Sequence, residues 1–600
     1  MPSSIFYIIS YAALLFGIFL VRKSDKKQSA VVHLTLSVMT SFAVQAAAAA
    51  VFYIAHISIG IMSIGIVDAA AAVLLWIFII REGSQKYYID AADVIALITL
   101  FLVAGFMYSK RFALGHDISF ASIDSATTFD LIRTMVLEHR SLTNMFFSIV
   151  NSALPMEAAL PITGEFYMFR AFLLWEIGYF FMSGMFFYIL VRSLLNSKGL
   201  KALGIIAAVI YMLGYPLYAL IFGFSYFSLS ISVVAYIMYA AMLYIDGEVK
   251  KRSAVIMLNL GLLGLFLCYM MFVPAVFFGI LTALGINLMR EGKLFSFKTI
   301  KTGLSVFLAP SIVGLLITAA NLSFISHSTV VSGDSEGSRG IAMDGGCYND
   351  MYSNFILMLP LVITGIVLCI KKLMNKETRK EQQGIEIVIP SVFVTMFVFA
   401  AVLFINAMKG YVSVYYYVKN NNIFILLAWC LVMIAASEMW SKGKTFFISY
   451  IAVFALLIAM VVSEADTKIS ERNDRFLRTG AESFVDIYYF NKEFVKYSGD
   501  INSDDIALIK YAYDNLELTP DVTETLVVGD FLYTHWYAKI TGNSRIKQVN
   551  QSGELQSIDM NEIRYILVQN TSVYDENREL FDNMGNVIYF NTRGKIIQLR

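Results

Sequence analysis

The sequence predicts a polytopic α-helical membrane protein of about fourteen spanning helices, with both termini outside and a small extracytoplasmic α/β domain at the C-terminal end. Three observations predict it. The composition is 58% hydrophobic and only 15% charged, whereas soluble domains carry about 25% charged residues. Apolar runs long enough to cross a bilayer recur over most of the chain. The loops between them alternate between basic and non-basic from one end to the other. Mean hydropathy is +0.66, which fits a chain dissolved mostly in lipid.

The candidate spans are 4–21, 30–54, 58–80, 92–108, 165–193, 202–223, 226–245, 254–271, 273–289, 302–322, 354–370, 386–407, 422–440 and 445–462. The pair within 254–289 is one apolar run divided only by Pro274. Cytoplasmic loops are enriched in Lys and Arg. "RKSDKK", "REGSQK", "NSKGLK", "DGEVKKR", "MREGKLFSFK", "KKLMNKETRKEQQ" and "SKGK" form one alternating set, and each is basic. The basic cluster "RKSDKK" follows the first apolar run, so that run reads as an anchor with its N-terminus outside and not as a cleavable leader. The other set then lies outside: the 109–164 loop, the stretch "SHSTVVSGDSEGSRGIAMDGGCYNDMYSN" holding Gly333, Gly337, Gly340, Gly345 and Gly346, the stretch "KGYVSVYYYVKN", and the tail. This divides the chain into a membrane module over 1–463 and a domain over 464–600.

The tail changes character. "DDIALIKYAYDNL" (504–516) has the periodicity of an amphipathic helix. "TLVVGD" (525–530) and "IRYILVQN" (563–570) read as buried strands, "FLYTHWYAKITG" and "SVYDENRELFDNM" as helices, and "NVIYFN" with "KIIQLR" as a hairpin. The "VVGD" turn lacks the further glycines of a dinucleotide fingerprint. Net charge is +1, which argues against a nucleic-acid partner. The four cysteines are Cys268, Cys347, Cys369 and Cys430; three fall in apolar runs, so neither a disulfide framework nor a zinc site is legible.

The chemistry concentrates in "SIDSATTFDLIRTMVLEHR" (122–140). Phe129, Ile132, Met135 and Val136 share one helical face, and Asp124 or Ser125 stands at the N-cap position. The segment reads as a short helix at the outer membrane interface. In the plain reading Asp124 caps the helix, Asp130 and Arg133 form an i,i+3 pair, and Glu138, His139 and Arg140 are solvated. The sharper reading is catalysis at headgroup level. A partly desolvated carboxylate is a stronger base, and cationic side chains nearby hold a departing phosphate.

Several stretches resemble the GT-C superfamily of polyprenyl-phosphate-sugar glycosyltransferases, bacterial members in particular. "SIDSATTFDLIRTMV" is similar to their aspartate-bearing outer loop, "DGGCYNDMYSNFILMLPL" to a later loop-to-helix junction, and "EIRYILVQNTSVYDE" with "NVIYFNTRGKIIQL" to their terminal domain. The resemblance implies an inverting glycosyltransferase of the plasma membrane. It would move a sugar from a polyprenyl-phosphate donor to a glycan or protein acceptor of the cell envelope. The outer-loop base of the family maps onto Asp124, with Asp130 assisting.

Other residues join the candidate site. Arg133, His139, Arg140, Lys409 and Lys419 are phosphate-binding candidates, and Tyr411 is a candidate for stacking on sugar. Glu165 and Arg170 open the fifth span at the same face, where snorkelling is the plain reading of Arg170. Asp68 and Glu176 lie inside spans, where carboxylates are costly and point to function. Asp344 and Asp350, with Arg339 nearby, offer oxygen ligands for a divalent cation such as Mg or Mn; no metal site proper is legible. A transporter or lipid-linked-sugar flippase is the alternative, with Asp68 and Glu176 as coupling groups, although inverted repeats are not visible. A non-catalytic assembly partner is a further one.

Overall fold

The computed structural model describes residues 2–112, 118–140, 146–294, 296–320, 348–375, 377–378, 382–409, 419–453, 455, 498–516, 525–543 and 546–599. Helix dominates. The order is α1 (Pro2–Leu20), β1 (Gln28–Ser29), α2 (Ala30–Ile54), α3 (Ile61–Glu82), β2 (Tyr87–Tyr88) and α4 (Ala91–Phe112), then β3 (Ile118–Ser122), α5 (Ile123–Glu138), α6 (Phe146–Thr163) and α7 (Met168–Val191). Next come α8 (Lys198–Leu213), α9 (Tyr215–Phe222), α10 (Ser225–Asp246), α11 (Lys251–Cys268), α12 (Val273–Arg290) and α13 (Phe297–Ala320). Helices Tyr348–Met374, Gly384–Met408 and Asn421–Lys442 complete the described bundle.

Among the described residues, 11 helices are long and apolar enough to cross a membrane. The chain is therefore multi-pass. Three of the fourteen expected spans are not among the 11: 354–370, which lies within the helix Tyr348–Met374, 445–462, and 202–223, which is two helices and not one. α8 ends at Gly214, and Pro216 sits in the first turn of α9. Proline is tolerated there and breaks a helix elsewhere. The 254–289 run is two helices, as expected. Tyr269 adopts φ −153°, ψ 86° between α11 and a 3-10 turn at Met270–Phe272, and Pro274 lies in the first turn of α12. The expected 445–462 span is described only as far as a short helix over Lys444–Val453.

α10 is the hub. Its apolar window is buried throughout, and it packs against α7, α9, α11, α12 and the Gly384–Met408 helix. Lipid removes the hydrophobic drive for such packing, so close approach of small residues matters. Gly261 of α11 is one case: a Cβ there would stand 2.7 Å from Ile237 and 3.0 Å from Tyr236.

The C-terminal residues form a five-stranded sheet in the order β6-β5-β7-β9-β8, with β5 Thr525–Val528, β6 Lys547–Val549, β7 Tyr565–Gln569, β8 Asn586–Phe590 and β9 Gly594–Gln598. β5 runs parallel to β6 and β7, while β9 runs antiparallel to β7 and β8. β5 and β7 are buried along their whole length, as a sheet covered on both faces requires. Val527 and Leu567 point into the core shared with the bundle, and Leu526, Val528, Ile566 and Val568 into a second core on the other face. The division at 463/464 lies outside the described residues.

A junction absent from the sequence reading ties the two parts together. β3, just before α5, pairs antiparallel with β4 (Ser498–Ile501), Ile118 opposite Ile501 and Ser122 opposite Ser498. The helix Phe531–Thr541 lies along α5. Trp536 stacks near Phe129, with centroids 6.2 Å apart, and Lys539 Nζ donates to Asp130 Oδ2 at 2.7 Å.

Candidate functional site

β3 delivers the chain to the start of α5, where Ser122 is the N-cap; its hydroxyl accepts from the Ser125 N–H at 3.0 Å. Neither Asp124 nor Ser125 is the cap, which corrects the sequence reading. A serine two positions upstream offers the same short acceptor, and β3 brings it in with extended φ −110°, ψ 160°. Asp124 falls in the first turn. Phe129, Ile132, Met135 and Val136 are buried on the expected face.

Asp124 retains an open side, being classed as exposed, while the protein packed around that opening desolvates its carboxyl. Burial raises the group above the ordinary aspartate value, and the charge of Lys419 pulls it back. Lys419 stands just before the Asn421–Lys442 helix and is 3% exposed. Its ammonium donates to the Tyr226 hydroxyl at 3.1 Å. It also lies 5.0 Å from the ring centre of Phe224, 5.4 Å from Tyr226, 5.5 Å from Phe227 and 5.5 Å from Tyr269. Rings attract the cation through their electron-rich faces but do not replace its water. Burial accordingly lowers Lys419 to about 7, with Asp124 opposing the shift.

Beneath this pair runs a buried ionic layer. Arg111 of α4 donates to Glu176 of α7 at 2.7 Å, both side chains within 1% of full burial. The Ser125 hydroxyl is 3.1 Å from each Glu176 oxygen. Nε and Nη1 of Arg111 have no hydrogen-bond partner among the described residues. Glu176 thus reaches the first turn of α5 from inside the bundle. Asp68, the other intramembrane carboxylate, accepts from Gln45 Nε2 at 2.7 Å, away from this layer.

Gly223 closes the other side of the turn. Its φ is 77°, and a Cβ there would overlap Ser122 Oγ, Ser125 N and Ser125 Oγ. Gly223→Ala therefore combines a left-handed backbone strain with a backbone clash, and a loss of at least about 2 kcal/mol is expected. Thermal melting in detergent would measure it. A melting temperature within 1 °C of wild type, at about that precision, would contradict the close approach.

Of the expected site residues, Asp124 and Lys419 lie within electrostatic reach of each other, and Arg133 and Glu165 form an ion pair. The rest lie elsewhere. Asp130 holds Lys539, and Arg133 pairs with Glu165 at 2.5 Å and packs against Gly542, so these residues line the seam with the C-terminal sheet. Arg140 pairs with Glu138 at 2.5 Å. His139 caps the far end of α5 with φ 54°. Arg170 lies over the rings of Tyr167 and Phe169, at 5.2 and 5.8 Å. Lys409 is exposed at the end of the Gly384–Met408 helix. Tyr411, Asp344 and the side chain of Asp350 lie outside the described residues.

The sequence reading missed Phe224, Tyr226, Phe227 and Tyr269, because aromatic residues inside apolar runs look like lipid-facing spans. The usable signal was "GYPLYALIFGF", whose Gly and Pro interrupt a span. Among the described residues no group of three His, Cys, Asp or Glu side chains is placed to hold a metal ion. Around Asp124 the described groups are its one carboxylate and the charge of Lys419 within electrostatic reach, a set that does not fit a divalent cation.

Neither a family model nor a curated protein matches the chain. Among solved structures, it is similar to the apo form of the Archaeoglobus fulgidus oligosaccharyltransferase, at 11% identity and a TM-score of 0.35 over 79% of this chain and 69% of that one. It is also similar to the same archaeal enzyme in complex with Zn and sulfate, at 13% identity and a TM-score of 0.39 over 79% and 68%.

Proposed function

We propose that the protein is an inverting glycosyltransferase acting at the outer face of the plasma membrane. It takes a sugar from a polyprenyl-phosphate donor and passes it to a cell-envelope acceptor. One observation carries this reading: a carboxylate with an open side, desolvated by its surroundings, lies within the electrostatic reach of a buried lysine walled by aromatic rings. The acceptor hydroxyl gives its proton to Asp124 as its oxygen attacks the anomeric carbon. The bond from that carbon to phosphate oxygen breaks, and the polyprenyl phosphate leaves with the electron pair. Lys419 meets the charge that appears on the leaving phosphate. Asp130 and Arg133 act at one remove, by holding α5 against the C-terminal residues. The described donor set does not fit a divalent cation, and no step runs through one.

The decisive assay uses the purified protein in liposomes with a synthetic polyprenyl-phosphate sugar labelled in the sugar, together with an envelope extract as acceptor. Label in a covalent conjugate, with free polyprenyl phosphate released in equal amount, is expected. Donor crossing the bilayer with no conjugate formed would instead make the protein a flippase.

Lys419 gives the reading a pH signature. Its ammonium predominates below about 7 and is lost above, and phosphate binding needs the ammonium. Donor affinity should fall as pH rises from 6 to 8.5, on the order of tenfold. Lys419→Met should bind weakly and show no such fall. Transfer rate adds the opposite limb, since Asp124 must first lose its proton, so the rate profile is bell-shaped. Equal pH dependence in wild type and Lys419→Met would remove Lys419 from the phosphate.

A further inference from the structure

A second cleft lies at the other end of α5, outside the Asp124 site. Its volume is about 640 Å³, and its walls come from α1, the α2–α3 turn, the end of α5 and α6. Glu157 and His139 face each other across it, with hydroxyls from Ser3, Ser4, Ser58 and Ser63 around them. Among the described residues no Lys or Arg lines it. The Glu157 side chain is 12% exposed. Its Oε2 accepts from the Ile61 N–H at the start of α3, at 3.1 Å. Its Oε1 lies 3.8 Å from His139 Nδ1, too far for a hydrogen bond. That oxygen is the acceptor the cleft presents.

The rim gives the cleft its second character. Ile57, Met62 and Leu137 are exposed apolar side chains at its edge, next to helices of spanning length. A carboxylate inside, no Lys or Arg among the described lining residues, hydroxyls beside it and an apolar mouth against lipid together select an amphiphile with a cationic, hydrogen-bonding head. A phosphate alone would meet only negative charge here. A quaternary amine would bring charge but no donor for Oε1.

We propose that this cleft binds the primary ammonium headgroup of a membrane lipid, with Glu157 as acceptor and the apolar rim along the lipid chains. Binding is independent of the sugar-transfer reading, since it uses neither Asp124 nor Lys419. Burial pushes Glu157 up to about 7, opposed by the Ile61 hydrogen bond. The ammonium therefore binds better at pH 8, where the carboxylate is ionised, than at pH 6. Two other titratable groups face Glu157: His139 from α5, and Tyr7 from α1, which feels its charge.

The test is native mass spectrometry of the full-length protein in detergent, with dioleoyl phosphatidylethanolamine, phosphatidylcholine or phosphatidylglycerol. Phosphatidylethanolamine should be retained about tenfold more tightly than either of the others, the size of one charge-assisted hydrogen bond. Glu157→Gln should erase that preference and leave phosphatidylcholine binding unchanged. Gly60→Ala is a second variant that keeps the carboxylate. Its Cβ would stand 2.8 Å from His139 Nδ1 and 3.3 Å from both Glu157 oxygens, so it should weaken phosphatidylethanolamine as well. Unaltered preference in Glu157→Gln overturns the proposal. So does displacement by free ethanolamine at the same concentration as the lipid, because the apolar rim would then contribute nothing.

Discussion

Asp124→Asn is expected to lower sugar transfer by about a thousandfold, the range that general-base groups supply. Asparagine keeps the size and first-turn position of the residue, so melting temperature should stay within error of wild type, and so should donor binding at acidic pH, where Lys419 is charged in either protein. The amide has no lone pair basic enough to take the acceptor proton. Replacement also frees Lys419 from its carboxylate neighbour, so the lysine becomes still harder to protonate. The pH at which donor affinity falls should then move downward, because Asp124 is the group that raises Lys419. A turnover assay and a donor titration on the same preparation separate the two effects. Full transfer activity in Asp124→Asn would take the base away from this residue, whatever happened to donor binding.

Arg111→Met is the second large effect. It leaves Glu176 with the Ser125 and Ser225 hydroxyls and without its Arg111 partner, inside a layer closed to water. Removing one partner of a buried pair costs about 3–5 kcal/mol, since the remaining charge is uncompensated. Neutralisation of Glu176 by proton uptake sets the ceiling on the loss. Thermal unfolding in detergent should show it, and transfer should fall as well because the first turn of α5 loses its hold. The double change Arg111→Met with Glu176→Leu should recover most of the stability, as replacement of a whole ion pair by apolar groups does elsewhere. It should not recover all of the activity, because Ser125 then has no carboxylate to hold. If the double variant melts no higher than Arg111→Met, the pair is not what supports this layer.

The membrane class was legible because hydropathy is local and cumulative: twenty apolar residues need no knowledge of their neighbours. The elements of the C-terminal sheet were legible for a similar reason. "TLVV" and "YILVQ" are short apolar runs between turn residues, and they are β5 and β7. What escaped depends on distance. β3 and β4 are short, and β3 carries Ser and Ala, so nothing in either segment announces a strand until the other is beside it. The break in 202–223 was written in Gly214 and Pro216, but the apolar content of the run outweighed them. Asp124 and Lys419 were each noticeable, though for different reasons: one as an acid in a charged interfacial helix, the other as one of two lysines flanking a tyrosine-rich stretch. Only the folded chain sets Lys419 inside and Lys409 outside. Glu157 was passed over because it stands alone in "SALPMEAALP", with no partner at helical spacing; its neighbour His139 arrives from another helix.

Asp130 and Lys539, which lock α5 to the helix beside it, stand 409 residues apart in the chain. At about 5–20 residues per second of synthesis, roughly 20–80 s pass between the emergence of one and the other. Most of the spanning helices, from α7 onward, are made during that interval, and α5 packs on α6 and α7 before the Phe531–Thr541 helix arrives to cover its other side. The lock between Asp130 and Lys539 therefore forms only near the end of synthesis, and a chain cut short before residue 539 lacks it.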